Sequence, residues 1–366
     1  MLGFWVSFVM LCFIGIIQIL LPYLLKKTVV FGVTIPATHI EDKLVIQAKK
    51  AYSMTMASIW LLLLFGYSIW SIVAIHNEDL QVIVGITLMF LIMIVSMMLY
   101  AYFHWKLKIK KQQQKWGKYL TEIKIVDMSL RAKDEMLPHS YFISLAFVPF
   151  ILIIYTYYQY SLLPEQIPTH WGPSGEANAF TQKNRFSVIL LPLMMLVMQG
   201  LFAALTEGTK RSGMKISAIN PQKSALKQLE KRKYTSWFMF LTAFLITILF
   251  SFLQLTTIHY GIVGKGFMLT IFIAFILVIL IGSIIFSVKV SSLEEIGDDS
   301  SFSEGITDVD DDRYWKGGLF YFNREDPSLF VEKRFGIGWT INFAKPLGYL
   351  IVFVPLIIIL LIAFLS

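Results

Sequence analysis

Charged residues are scarce in this sequence, and cysteine is nearly absent. Asp, Glu, Lys and Arg together make up 15% of the 366 residues, while hydrophobic residues make up 56%. Soluble domains contain about 25% charged residues, so the composition excludes an ordinary soluble protein. Cys12 is the only cysteine, which excludes an intrachain disulfide and makes cysteine usage uninformative about the redox compartment.

The hydrophobic residues are gathered in eight segments of about twenty residues each, the length that crosses about 30 Å of hydrocarbon. These segments are 2–25, 53–75, 82–103, 141–161, 186–206, 237–258, 267–288 and 347–365. Each central Leu, Ile, Phe or Val contributes about −0.3 to −0.6 kcal/mol to membrane insertion. We therefore predict an all-α polytopic membrane protein with eight transmembrane helices.

The middle of every hydrophobic segment lacks Asp, Glu, Lys and Arg. Ionisable residues within a bilayer usually mark ion pathways, proton relays or catalytic centres. Their absence disfavours an ion-coupled transporter, a proton pump and an intramembrane metalloprotease. The HExxH, Walker, GxSxG and CxxC motifs are also missing from the sequence, so we expect a protein that is not an enzyme and needs no cofactor. Gln18, Gln199 and Gln254 are the main polar side chains at depth, and we interpret them as contacts between helices.

Basic residues are concentrated on alternate connections between the segments. The connections after segments one, three, five and seven contain 29 Lys and Arg residues, whereas those after segments two, four and six contain 3. Basic connections stay in the cytoplasm, so we expect a multi-pass protein of the cell membrane with both termini extracytoplasmic. This orientation also explains the net charge of +8; we therefore expect membrane lipids as partners and no nucleic acid.

The connections divide the chain into six parts. An N-terminal membrane region with a cytoplasmic FGVTIP stretch is followed by an extracytoplasmic loop, three further segments, an acidic linker, an aromatic module and the last segment. The boundaries are 1–161, 162–185, 186–288, 289–313, 314–346 and 347–366. The acidic linker is expected to be flexible and solvated. In the aromatic module, residues 319–322, 329–333 and 338–343 are typical of strands, so we predict a small cytoplasmic β-meander.

The extracytoplasmic loop reads LPEQIPTHWGPSGEANAFTQKN, from Leu163 to Asn184. Its prolines stiffen the backbone, and its glycines allow tight turns. One interpretation is a packed cap over the neighbouring helices. The other is a recognition surface, because a rigid loop loses little entropy on binding and Trp is often a hot spot. A metal site is a further alternative, because outward-facing His76, His170 and His259 together with a carboxylate would suit zinc.

The same loop resembles the signature of the bacterial domain-of-unknown-function family numbered 1648. The signature residues are Leu163, Pro164, Ile167, Pro168, His170, Gly175 and Lys183. Asn178 stands where the family's pattern has an Asp. The resemblance implies a relation to SdpI-type immunity proteins, which are multi-pass proteins that protect a cell from a membrane-active toxin peptide. The FGVTIP stretch also resembles these relatives. The candidate ligand-recognition residues are Glu165, Pro168, His170, Trp171, Gly175, Asn178 and Lys183.

The aromatic module from Tyr314 to Pro346 resembles a second uncharacterised domain, numbered 5808. This domain accompanies the first one in Gram-positive bacteria. The residues that we single out in the module are Asn323, Asp326, Pro327, Trp339 and Asn342.

These observations favour a non-enzymatic integral membrane protein that senses, or confers immunity to, a membrane-active peptide or envelope stress. The partners expected are a toxin peptide outside the cell and a regulatory protein inside. An ion-independent lipid or peptide transporter and an envelope metal-dependent hydrolase remain as alternatives.

Overall fold

Eight long helices dominate the computed structural model. The structure describes residues 2–24, 28–73, 77–116, 121–123, 128–172, 175–214, 216–217, 220–259, 263–296, 306–308, 310–334 and 338–365. The helices are α1 (Leu2–Leu24), α2 (Lys43–Val73), α3 (Glu78–Gln113), α4 (His139–Tyr158), α5 (Leu190–Arg211), α6 (Pro221–Ile258), α7 (Lys265–Ile296) and α8 (Pro346–Leu365). Among the described residues, seven helices are long and apolar enough to cross a membrane, and α8 is apolar over 346–362.

Three helices extend well beyond the predicted hydrophobic segments. Helix α2 begins at Lys43 rather than at 53, α3 ends at Gln113 rather than at 103, and α6 begins at Pro221 rather than at 237. The start of α6 is determined by local capping: the Asn220 side chain accepts a hydrogen bond from the backbone N–H of Lys223 at 3.3 Å. Hydrophobicity therefore predicts the membrane crossing, whereas the cap determines where the helix begins.

The helices form two groups. Helices α1, α2 and α3 pack on one another as the first bundle, and α4 to α8 pack around α5 and α6 as the second bundle. The three glutamines singled out in the sequence make the predicted contacts between helices, and Gln199 and Gln254 are buried. Gln18 accepts a hydrogen bond from Ser96 at 2.6 Å, Gln199 donates to Thr247 at 2.8 Å, and Gln254 donates to Thr156 at 2.9 Å.

The connections after α1, α3, α5 and α7 meet at one end of the helices, which we call the basic end. Short strands there are β1 (Val29–Val30) with β2 (Val33–Thr34), and β3 (Thr121–Ile123) with β6 (Ile306–Asp308). The parallel pairing of β3 with β6 joins the third and seventh connections. At the opposite end, β4 (Gln166–Trp171) and β5 (Ala177–Gln182) form an antiparallel hairpin between α4 and α5; we call it the outer hairpin.

The predicted three-stranded meander is instead a pair of two-stranded hairpins: the second and third predicted strands pair with each other, whereas the first pairs with a short strand that precedes it. Strand β7 (Trp315–Lys316) pairs with β8 (Phe320–Tyr321), and β9 (Phe330–Glu332) pairs with β10 (Trp339–Ile341). The stretch between β8 and β9 is a loop held by side chains, because the Asn342 amide donates to the carbonyls of Asn323 at 2.8 Å and Ser328 at 3.3 Å. These bonds hold the loop in a shape that prevents β8 from pairing with β9.

The described parts of the acidic linker differ from the expectation of a flexible, solvated segment, and 297–305 and 309 lie outside the described residues. Helix α7 continues to Ile296, and the described residues at the linker's end, from Asp310 to Asp312, are folded against other elements. The Asp312 carboxylate is buried and accepts hydrogen bonds from Thr34 and Lys111. The run of acidic residues is therefore partly neutralised by cations that are distant in the sequence.

Candidate functional site

The outer hairpin is an antiparallel strand pair whose register shifts at two positions. Its paired residues are Gln166–Gln182, Ile167–Thr181, Pro168–Phe180, His170–Ala179 and Trp171–Ala177. The register shifts by one residue at Thr169 on β4 and shifts back at Asn178 on β5. Such bulges redirect side chains while leaving the rest of the ladder intact. At the tip, the Gly175 N–H donates to the Gly172 carbonyl at 2.9 Å, and Gly175 has a φ of 77°, which favours glycine.

The base of the hairpin is held by Lys183, a residue of the predicted signature. Its ammonium donates to the Leu163 carbonyl at 2.8 Å, lies 3.6 Å from the Glu165 carboxylate, and stands 5.0 Å from the centre of the Tyr160 ring. The Lys183 side chain is nearly buried, whereas the Glu165 side chain is exposed. Lys183 therefore closes the hairpin at its base, and this position explains why a Lys stands there.

Apolar and amide contacts connect the same base to the helices. Leu163 and Ile167 are buried in one cluster with Val188 and Ile258. The Gln254 amide of α6 donates to the Val188 carbonyl at 2.9 Å, in addition to its bond to α4. The base of the hairpin is consequently packed against the ends of α4 and α6 and against the turn that leads into α5.

The face of the hairpin away from this base is exposed. The His170 Nδ1–H donates to the Asn178 Oδ1 at 2.5 Å, across the two bulges. An amide oxygen at Asn178 accepts this bond as a carboxylate would. Phe180 is 49% exposed, and Trp171 is half-buried, while Pro168 is buried. Of the predicted recognition residues, His170 and Asn178 therefore lie on the accessible surface, and Trp171 lies at its margin.

Two of the three histidines proposed as metal ligands, His170 and His259, are described in the structure, and they make separate contacts. His170 bonds Asn178 on the hairpin, and His259 bonds the Tyr155 hydroxyl at 2.8 Å at the end of α6. His76 lies outside the described residues. Among the residues that the structure describes, no group of three His, Cys, Asp or Glu side chains could hold a metal ion.

A buried ion cluster at the basic end was not predicted from the sequence. The Lys111 ammonium donates to Asp310 at 2.5 Å and to Asp312 at 2.7 Å. The Arg334 guanidinium donates to the carboxylates of Asp311 and Asp312 and, at 2.5 Å, to the Gly32 carbonyl of the FGVTIP turn. We call Asp310, Asp311, Asp312, Lys111 and Arg334 the ion cluster.

Burial influences the charges of this cluster. It raises the pKa of the Asp312 carboxyl above its usual value, an effect that the Lys111 ammonium opposes. It lowers the pKa of the Arg334 guanidinium to about 10, so this residue stays protonated at neutral pH. The run DVDDD, which contains the three aspartates of the cluster, was expected to be solvated. Sequence proximity gives no signal for their pairing, because Arg334 and Gly32 come from opposite ends of the chain.

The aromatic module reaches the second bundle through a second buried pair. The Lys231 ammonium of α6 donates to Glu332 at 2.6 Å, and the Gln228 amide donates to the other oxygen of the same carboxylate at 2.8 Å. The Phe330 ring lies against Gly208 of α5, where a Cβ would come 2.3 Å from the ring. This contact explains the glycine in that helix.

The five module residues predicted from the sequence differ in their surroundings. Asn342 is fully buried and organises the loop between the two hairpins. Asp326 accepts a hydrogen bond from the Tyr321 hydroxyl at 2.9 Å, and Asn323 bonds the same hydroxyl at 3.2 Å. Pro327 is exposed. Trp339 is half-buried and lies 6.0 Å from the Lys231 ammonium, measured to the ring centre.

Comparison with known families confirms both resemblances. Residues 147–196 match the family described as "Domain of unknown function (DUF1648)", and residues 324–349 match the "Family of unknown function (DUF5808)". The first match covers the outer hairpin together with the adjoining parts of α4 and α5. No curated protein and no solved structure matches the chain. The apolar helices and the first match together indicate a multi-pass membrane protein.

Proposed function

We propose that this chain is a non-enzymatic protein of the cell membrane that senses, or confers immunity to, a membrane-active peptide or envelope stress. The observation that carries the proposal is the outer hairpin. Lys183 closes its base on the Leu163 carbonyl, and Leu163 and Ile167 pack against Ile258 of α6. Beyond this base, His170, Asn178 and Phe180 are exposed. A surface that is already ordered loses little conformational entropy when it binds a ligand.

The proposal also includes an orientation. Because basic connections stay in the cytoplasm, the basic end faces the cytoplasm, and the outer hairpin and both termini face outward. All eight helices then cross the membrane, with lipids around their exposed apolar side chains. A toxin peptide would meet the hairpin from outside, and a regulatory protein would meet the module at the basic end.

The predicted recognition residues then take different roles in this proposal. His170, Trp171 and Asn178 would contact the peptide, because they lie on or beside the exposed face. Pro168, Gly175 and Lys183 would maintain the shape of the hairpin, and Glu165 would add an exposed charge at its base. The resemblance of the signature to SdpI-type immunity proteins supports a peptide as the ligand.

A killing assay tests this function. Cells without the gene should become more sensitive to at least one member of a panel of membrane-active peptides. The wild-type gene and a Leu162→Ala variant, which alters an exposed residue outside the strands, should restore resistance. His170→Ala and Phe180→Ala should restore less resistance at equal membrane levels on immunoblots. Unchanged killing across the panel after deletion would contradict the proposal.

Crosslinking in living cells tests the contact itself. A photoreactive amino acid at His170 should capture the peptide that kills the deletion strain. The same amino acid at Tyr158, which is exposed on α4 beside the hairpin, is the matched control and should capture much less. Equal capture at both positions would show nonspecific adsorption to the membrane and would argue against a site on the hairpin.

A further inference from the structure

One segment of the chain bonds to both helix bundles. We call residues 310–334 and 338–345 the clamp. On one side, Asp312 of the clamp bonds Lys111 of α3 at 2.7 Å and Thr34 of the first connection at 3.0 Å. On the other side, Glu332 of the clamp bonds Lys231 of α6 at 2.6 Å. In the part of the chain that the structure describes, helices of the first bundle make no extensive contact with helices of the second. The clamp therefore links the two bundles.

The link to the first bundle is mainly ionic and polar, and Leu319 of the clamp adds an apolar contact with the core of that bundle. Arg334 crosses from the clamp to the Gly32 carbonyl, and Asp312 accepts from both the backbone N–H and the hydroxyl of Thr34, at 3.1 and 3.0 Å. Buried ions are stable only while their partners remain in place, because separation leaves a charge that is neither paired nor hydrated. Because partial separation is costly, we expect the ion cluster either to stay paired as a whole or to separate and become hydrated.

The link to the second bundle has an additional apolar part. Phe330 packs on Gly208 of α5, the clamp continues directly into α8, and α8 packs on α5. Apolar packing and chain continuity keep these contacts when charges change. The link to the first bundle, through the ion cluster, therefore depends more on charge than the link to the second bundle.

The backbone of the clamp packs closely against the turn of the first connection that contains Gly32. Phe31 and Gly32 both have positive φ, of 49° and 71°, in the tight turn between β1 and β2. Gly318 of the clamp lies directly against this turn, since a Cβ on Gly32 would come 2.6 Å from the Gly318 Cα. The turn thus presents the Gly32 carbonyl to Arg334 and makes a specific seat for the clamp.

We propose that the ion cluster is a latch between the two bundles. The clamp stays on the second bundle and releases the turn at Gly32 when the cluster opens, which allows the bundles to move relative to each other. This device goes beyond the proposed function, because it holds whatever the outer hairpin binds. It also assigns a role to the FGVTIP turn as the seat of the latch.

Distances between spin labels test the latch in the full-length protein in lipid nanodiscs. In a Cys12→Ser background, labels at Gln113 of α3 and Leu226 of α6 report the spacing of the bundles, and both positions are exposed. The parent should give one narrow distance distribution. Arg334→Gln should add a second population at longer distance, whereas Arg324→Gln, which changes an exposed arginine of the clamp, should not.

A second label pair separates latch opening from misfolding. Labels at Leu226 and at Tyr141 of α4 lie within the second bundle, and their distance should be the same in all variants. If Arg334→Gln also broadens this distance, Lys111→Gln takes its place, because Lys111 lies on α3. The latch requires that variant to change only the distance between bundles. An unchanged distance between bundles in either correctly folded variant would overturn the proposal.

Discussion

The buried pair of Lys231 and Glu332 allows the anchoring of the clamp to be measured. Glu332→Leu removes the carboxylate that Lys231 and Gln228 bind, and the Lys231 side chain is only 2% exposed. Removing one partner of a buried ion pair costs about 3 to 5 kcal/mol. Each 1.36 kcal/mol is about tenfold in an equilibrium constant. The locally open population of the clamp should therefore rise by about a thousandfold.

Cysteine labelling measures that population. Val331 of β9 is buried beside the pair, so a Val331→Cys thiol in a Cys12→Ser background reacts with a maleimide only after local opening. When reclosing is faster than labelling, the rate follows the open fraction. We expect labelling of the Glu332→Leu variant to be faster than that of the parent by about three orders of magnitude.

A double variant provides the control and the refutation. Lys231→Met combined with Glu332→Leu removes both charges and keeps apolar volume, a replacement that is often neutral or stabilising. Its labelling rate should return to within about tenfold of the parent. Labelling of the single variant at the parental rate would refute the reasoning, as would a double variant that reacts as fast as the single one.

Three further outcomes are expected. Gly32→Ala places a Cβ 2.6 Å from the Gly318 Cα at a φ of 71°, so amide exchange in β1 and β2 should accelerate, whereas Gly264→Ala, with no atom within 4 Å, should behave like the parent. Gln254→Leu removes two donated hydrogen bonds and leaves buried acceptors, at about 1 to 3 kcal/mol; amide exchange in β4 and β5 should accelerate by at least about tenfold. Burial lowers the pKa of Arg334 to about 10. Arg334 therefore stays protonated between about pH 7 and pH 9, whether the latch is closed or open. The distance between the bundles should not change in that range.

The positions of the helices could be predicted because membrane insertion depends on local composition. A run of apolar residues of sufficient length identifies a crossing without reference to the rest of the chain. The turn chemistry of the loop from Leu163 to Asn184 similarly indicated a stiff structure. The bulges at Thr169 and Asn178 were not predictable, because they arise from how the two strands pair.

Helix ends and strand partners were less predictable. The α6 cap at Asn220 lies far from the apolar part of its helix, where hydrophobicity gives no signal. The strands of the aromatic module were located in roughly the right places, and the pairing of the second with the third was right, but the pairing of the first with the second was wrong. Asn342, fully buried, bonds the loop between β8 and β9 and leaves the two strands in separate hairpins.

Long apolar helices and cations on alternate connections can both be read from the local order of residues. Which charges become buried partners depends instead on the folded arrangement of the chain. Asp312, Lys111 and Arg334 meet because folded helices bring distant connections to the same end of the protein. An ionic interaction depends on distance in space and on exclusion of water, and neither quantity can be obtained from the spacing of residues along the chain.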